Sequence, residues 1–340
     1  MGYIRCIQKF SKRIPLRILV GCVSPRCIHL LYHAVGDEER LLYAKGLYDI
    51  ISPERFRNDM EDLLHFYKPI RLEQLIRYHR TGELPSGGKF FFLSFDDGLK
   101  VTSDCSVPVL LELGIPAAFF VNTDFIGNSS FLHRFKINLL IRSIQSDMSG
   151  QLKTKAKQFF TDREKYSADP IETIGGLKYP AAGLIDDLIE NLKLDIVSEL
   201  REAQPYMTLD DLKKLKGKGF AIGTHSASHP EYSLISHEEQ LSQTCRSVKQ
   251  LENWIAPEYN VFAFPFTDVG VGGKFFTELS KRCRVDLSFG TSGIKKDRVK
   301  NHLNRIPMDT MGLRATDRLK FELFYYFLKS FLGKNTYNRQ

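Results

Sequence analysis

At 340 residues the chain is long enough for one large α/β barrel or two ordinary domains, and nothing in its composition, 43% hydrophobic and 26% charged, reads as disordered. The formal charge of +8 comes from Lys and Arg spread among acids without a nucleic-acid module signature, which argues against DNA or RNA and for attraction to anionic membranes or glycolipids. The six cysteines, at 6, 22, 27, 105, 245 and 283, form no Cys-x-x-Cys pair and fit reduced thiols of a cytosolic protein.

Residues 1–36 hold no acid and six basic residues, Arg5, Lys9, Lys12, Arg13, Arg17 and Arg26, between apolar positions such as Ile4, Ile7, Phe10, Ile14 and Ile18. Arg17 interrupts the apolar run that a secretory signal requires. The expectation is therefore an uncleaved, basic, amphipathic lead over 1–26, with a cytoplasmic chain docked peripherally on the inner membrane face. Export is the alternative. No segment approaches the roughly 18 apolar residues needed to span a bilayer.

Cys27 to Tyr32 reads as a first strand, ending in His33. Ser52-Pro53-Glu54 opens a helix with Ser as N-cap and Pro in its first turn, and a second helix over about Leu72 to Arg80 stops near Gly82. Phe90 to Phe95 is an uninterrupted apolar run, the pattern of a parallel strand covered on both faces, and it ends at Asp96-Asp97-Gly98. Adjacent carboxylates repel unless a cation or a shared proton relieves them. Strand ends are where α/β folds collect their chemistry, although Asp-Asp-Gly is also an ordinary turn.

A helix over Ser106 to Leu113 and a strand over Ala117 to Val121 follow. Residues 129–206 contain helical patterns and no clear buried strand, so they are expected to be a largely helical insertion that shapes the substrate pocket. Thr208 with Asp211, and Ser236 with Glu239, have the spacing of capping boxes. Strands are expected at Phe220–Thr224, Val261–Phe264, Val285–Phe289 and Leu303–Ile306. Seven strands alternating with helices argue for one barrel-like parallel sheet.

The fourth strand ends in His225-Ser226-Ala227-Ser228-His229-Pro230. Two imidazoles on a strand-to-loop turn, with one carboxylate of the earlier pair, make a two-His, one-carboxylate set with positions open for water and substrate.

Ser94-Phe95-Asp96-Asp97-Gly98 resembles the first motif of the polysaccharide deacetylases, the NodB-homology or carbohydrate esterase family 4 group. His225-Ser226-Ala227-Ser228-His229 resembles the second, and Phe262-Ala263-Phe264-Pro265-Phe266 resembles the third as found in the poly-N-acetylglucosamine deacetylase branch. The resemblance covers roughly 27–128 and 207–310. It implies a distorted (β/α)7 barrel and metal-dependent N-deacetylation of an N-acetylated glycan in surface-polysaccharide or glycolipid synthesis. Asp97, His225 and His229 map onto the metal ligands, with Zn²⁺ the default ion, and Asp96 maps onto the general base. Pro265 and the backbone N–H near Phe266 fall at the oxyanion site.

The family's general acid comes from a C-terminal Leu-x-Ile-His motif that this chain lacks. Leu30-Leu31-Tyr32-His33 has a similar form on the first strand, as a permuted barrel would supply it, so His33 is the expected acid. His302, before the last strand, is the alternative and is expected to face away. Ala263 stands where the commoner pattern carries an Arg that orients the catalytic Asp. Arg305 either replaces that cation in space or forms a barrel-end salt bridge. The departure at Ala263 keeps open a non-catalytic carbohydrate-binding or scaffolding role.

Residues 311–340 hold an aromatic and basic helix, with Phe321, Leu323, Phe324, Tyr325, Tyr326, Phe327, Leu328, Phe331 and Leu332 flanked by Lys320, Lys329 and Lys334. It reads either as a helix in a membrane interface or as a helix packed on the barrel or on a second subunit. The oligomeric state has no signature in the sequence.

Overall fold

A computed structural model describes residues 2–163 and 169–339. Eight parallel strands follow the order β8-β1-β2-β3-β4-β5-β6-β7, forming a nearly closed α/β barrel. They are β1 (Cys27–Tyr32), β2 (Phe90–Phe95), β3 (Ala117–Val121), β4 (Ala221–Thr224), β5 (Val261–Ala263), β6 (Leu287–Gly290), β7 (His302–Asn304) and β8 (Ile306–Pro307). Every residue of β2 and β3 is buried, which is why both read as unbroken apolar runs rather than alternating ones.

The expected seventh strand is split. Its first half pairs with β6, Ser288 opposite His302, and its second half with β1, Leu30 opposite Ile306. The change of partner happens at Arg305, whose N–H donates to the Gly290 carbonyl at 3.1 Å and whose carbonyl accepts from Gly293 N at 3.0 Å. Counted as one kinked segment, β7 and β8 close a seven-stranded (β/α) barrel. The sixth strand begins at Leu287 rather than Val285, and the helix expected from Ser106 starts six residues earlier, at Lys100. No apolar periodicity marks those extra turns.

Caps behave as their chemistry requires. Ser52 Oγ accepts from Arg55 N at 3.2 Å to start Pro53–Leu64. Thr208 and Asp211 bond reciprocally to start Leu209–Gly217, but Glu239 instead accepts from Gln243 Nε2 at 2.8 Å, so only half of the Ser236 box forms.

Between β3 and β4 lie the helices His133–Ser146, Gln151–Thr161, Pro170–Gly176, Ala182–Asn191 and Ile196–Ala203. Residues 164–168, within the expected insertion, lie outside the described residues. These helices bury Phe135, Leu140, Phe160, Leu188 and Leu200 in a hydrophobic cluster shared with Leu99 and Val101, which directly follow the Asp-Asp-Gly turn. The insertion is thus packed onto the loops at the carboxyl ends of the strands.

Candidate active site and metal centre

The ends of β1, β2, β4 and β8 deliver one cluster. Asp97 Oδ1 lies 3.0 Å from His229 Nε2 and 3.4 Å from His225 Nε2, and all three residues are buried. The His225 Nδ1–H donates to the Ala263 carbonyl at 2.9 Å, which leaves Nε2 as the nitrogen available to an ion. Asp97 Oδ1 has no hydrogen-bond donor, and neither has His229 Nδ1 among the described residues. Acceptors facing one point, within 4.8 Å of one another, are the arrangement of a divalent-cation site. Burial would raise the Asp97 carboxyl, but the two imidazoles outweigh it and hold it well below the usual carboxylate range. Burial, against the opposing pull of Asp97, keeps His229 below the ordinary imidazole value.

Backbone strain converges on the same place. Asp97 (φ 70°), Ser226 (φ 67°), His229 (φ 58°) and Phe266 (φ 56°) all occupy the left-handed region, which side chains beyond glycine adopt at a cost. Four such residues on three strand-end loops mark a site held by its surroundings rather than by local preference.

Asp96 has a different environment. Arg305 Nη1 and Nη2 donate to its two oxygens at 2.6 and 2.7 Å, and Nη1 also reaches Ser94 Oγ at 3.1 Å. Arg305 is fully buried and reaches Asp96 from the closing strand. A fork–fork pair of this kind fixes the plane of the carboxylate as well as its charge. The barrel-end salt bridge at the surface is not the arrangement found.

His33 stands across the cavity. Its Nδ1–H donates to Asp309 at 3.1 Å, its backbone N–H to Asp309 Oδ2 at 2.5 Å, and its ring stacks on Tyr48 at 4.7 Å. Burial lowers the imidazole, but the Asp309 charge and hydrogen bond outweigh it and raise His33 to about 9. Tyr48 donates its hydroxyl to Asp97 Oδ2, linking the two sides. Phe266 sets its ring 4.6 Å from His229, is 39% exposed, and its N–H donates no hydrogen bond among the described residues, while Pro265 before it is buried.

His302 faces away, as expected. It is bonded to Ser288 Oγ at 2.9 Å and to Asp268 Oδ2 at 3.2 Å, against the Phe264 and Phe276 rings. Asp268, Asp297 and His302 also have ligand-like spacing, but the Arg339 guanidinium already lies 2.5 Å from Asp268 and 2.9 Å from Asp297. That cluster carries its own cation.

Two residues of the site went unread in the sequence. Asp309 follows β8 by two residues, so the strand-end rule that picked out Asp96 also applies to it. Tyr48 sits in an irregular loop with no pattern to signal it. The cavity, about 200 Å³, is lined by His33, Tyr48, Asp97, Arg134, His229 and Phe266. A larger cavity of about 430 Å³, with His29, Lys295 and Tyr326, lies where β7 leaves β1 unpaired. It holds none of Asp97, His225 and His229.

Residues 84–271 match the profile of the polysaccharide deacetylase family. No curated protein matches the sequence. Among solved structures, a Streptococcus pyogenes deacetylase, PplD, in complex with acetate is 16% identical with a TM-score of 0.54, covering 88% of this chain and 98% of its own. IcaB from Ammonifex degensii is 14% identical with a TM-score of 0.54, over 88% and 98% of the two chains. BC0361, a polysaccharide deacetylase from Bacillus cereus, is 16% identical with a TM-score of 0.51, over 87% and 69%. At these identities the likeness is one of fold.

Proposed function

The chain belongs to the polysaccharide deacetylase family, and from that membership we propose that it is a metal-dependent N-deacetylase removing acetyl groups from an N-acetylated glycan. The observation that carries the proposal is the division of labour between adjacent acids. Asp97 faces His225 and His229 with an unpaired oxygen, while Asp96 is held apart by Arg305.

Asp97 Oδ1 and the two Nε2 atoms would hold the ion, with Zn²⁺ favoured by the His-rich donor set. Such an ion supplies polarisation of the acetyl carbonyl and a water of lowered pKa. Asp96, oriented by Arg305, takes the proton from the attacking water. His33, protonated and held by Asp309, returns a proton to the departing sugar amine. The Phe266 N–H donates to the oxygen on which charge develops. The alternative of a non-catalytic sugar binder drew on the missing cation at Ala263, and the Arg305–Asp96 pair removes that support.

The test is acetate release from N-acetylglucosamine oligosaccharides after chelation and reloading with Zn²⁺. Release should require the metal, and Asp96→Asn should abolish it while the metal stays bound. Absence of release from any N-acetylated oligosaccharide by the metal-loaded protein would refute the assignment.

A further inference from the structure

The first and last helices form a surface that the deacetylation chemistry does not use. Gly2–Lys12 runs antiparallel along Ala315–Phe331, with Lys12 Nζ 3.6 Å from Asp317 and the Phe10 and Phe324 rings stacked at 6.0 Å. Leu16–Cys22 packs beside them, burying Leu16, Leu19 and Val20 in the same core as Leu319 and Leu323. Their inward faces are satisfied. Even so, Ile4, Phe10, Ile18, Phe331 and Leu332 remain 48, 57, 55, 73 and 65% exposed. Large apolar side chains scattered singly need no explanation, but five on three adjoining helical segments do.

The charge is as uneven as the hydropathy. Residues 2–22 and 315–334 carry nine Lys and Arg and only two acids, so seven of the chain's eight net positive charges lie on these two segments. Both acids are engaged internally, Asp317 with Lys12 and Lys320 and Glu322 with Arg318. Lys9, Arg13, Arg17 and Lys334 are exposed and form no ion pair among the described residues. Among the described residues, no helix is long and apolar enough to cross a membrane.

We propose that this surface docks the protein peripherally on an anionic lipid bilayer, the exposed Phe, Ile and Leu side chains entering the interface and the basic rim lying against the headgroups. A second copy of the chain fits less well. A two-fold contact sets the same patch against itself, and here that opposes two uncompensated cationic surfaces. Ala315–Phe331 starts beside β8, where Arg318 Nε donates to the Pro307 carbonyl at 2.8 Å, and reaches Tyr326 in the cavity with Pro25 and Cys27 at the start of β1. The surface therefore runs along the barrel flank from the end that carries the proposed site to the opposite end. If the deacetylase reading holds, glycans attached to lipids are the substrates so presented; the docking itself does not depend on that reading.

The test is flotation of the full chain with vesicles of phosphatidylcholine alone or mixed with an equal part of phosphatidylglycerol. Binding should be at least tenfold stronger to the anionic vesicles and should weaken as salt is raised. Phe331→Glu and the pair Lys9→Glu with Arg13→Glu, all at exposed positions, should each reduce it at least tenfold, with urea midpoints and acetate release from a soluble oligosaccharide unchanged. Absence of binding to the anionic vesicles overturns the proposal, as does binding that these variants leave intact. A dimer in sedimentation that Phe331→Glu dissolves, without vesicle binding, overturns it in favour of self-association. Vesicle binding by a protein that releases no acetate supports the docking surface and rejects the enzyme assignment alone.

Discussion

Arg305→Met tests the centre of the site most directly. Arg305 has the largest fully buried side chain among the described residues, and its guanidinium gives two charge-assisted hydrogen bonds to Asp96 and lies 5.2 and 5.7 Å from the Phe120 and Phe289 rings. Methionine fills much of that volume but leaves the Asp96 carboxylate buried without its counter-charge, 3.8 Å from His225 Nε2. Removing one partner of a buried pair typically costs about 3–5 kcal/mol, a large share of the roughly 5–15 kcal/mol that holds a domain together. With a urea slope of about 3 kcal/mol per molar, the midpoint should fall by about 1–2 M. The single tryptophan, Trp254, packs against the barrel core and reports the transition. Acetate release should fall at least about a hundredfold, the lower end of what a positioned base contributes. Arg305→Lys should lie between, because an ammonium keeps the charge but cannot grip both oxygens. The double variant Asp96→Asn with Arg305→Met should regain at least half of the lost stability, since no lone charge remains. An Arg305→Met protein that unfolds at the wild-type urea concentration and releases acetate at the wild-type rate would refute the reasoning.

Because Asp309 raises His33 to about 9, above the ordinary imidazole value near 6.5, the folded state binds the extra proton between those values. Its stability contribution, on the order of 3 kcal/mol, should be complete below about pH 6.5 and be lost as pH rises through about 9. Urea midpoints of chelated protein should show that decline, and Asp309→Asn should flatten it. Tyr48→Phe keeps the ring on His33 but removes the hydroxyl from Asp97, so Zn²⁺ affinity measured against a chelating dye should fall about 10–100-fold. Gly98 has φ 68°, and a Cβ there would lie 3.1 Å from Val121, so Gly98→Ala should lower the urea midpoint by an amount equivalent to about 1–3 kcal/mol.

The parts of this molecule legible in the sequence are those that physics writes locally. Phe90–Phe95 could be read because a strand buried on both faces must be apolar throughout, and Ser52 and Thr208 because orphan helix N–H groups need an oxygen nearby. Asp97, His225 and His229 could be picked out as one candidate group because they sit where strands stop. What stayed open or went unread depends on closure. Arg305 could be named as a replacement cation, but nothing near it in sequence decides between Asp96, a contact spanning 209 residues, and a barrel-end salt bridge, and nothing near Tyr48 places its hydroxyl on Asp97. The split of the last strand was equally silent, since three residues on one partner and two on another have the same apolar pattern as five on one.

That split gives the site its logic. The segment from His302 to Asp309 leaves β6 for β1 at Arg305, and in the span of five residues it sets a cation on Asp96 and a carboxylate on His33. The proton acceptor and the proton donor of the proposed reaction are therefore both positioned by the strand that closes the barrel. Met308 N donates to the Leu31 carbonyl at 2.8 Å and so locks the register between those two contacts. A slip of one residue there would turn Arg305 away from Asp96 and move Asp309 off His33 together. The cation on Asp96 thus depends for its placement on closure, so that the barrel and the proposed acid–base pair are completed by the same segment.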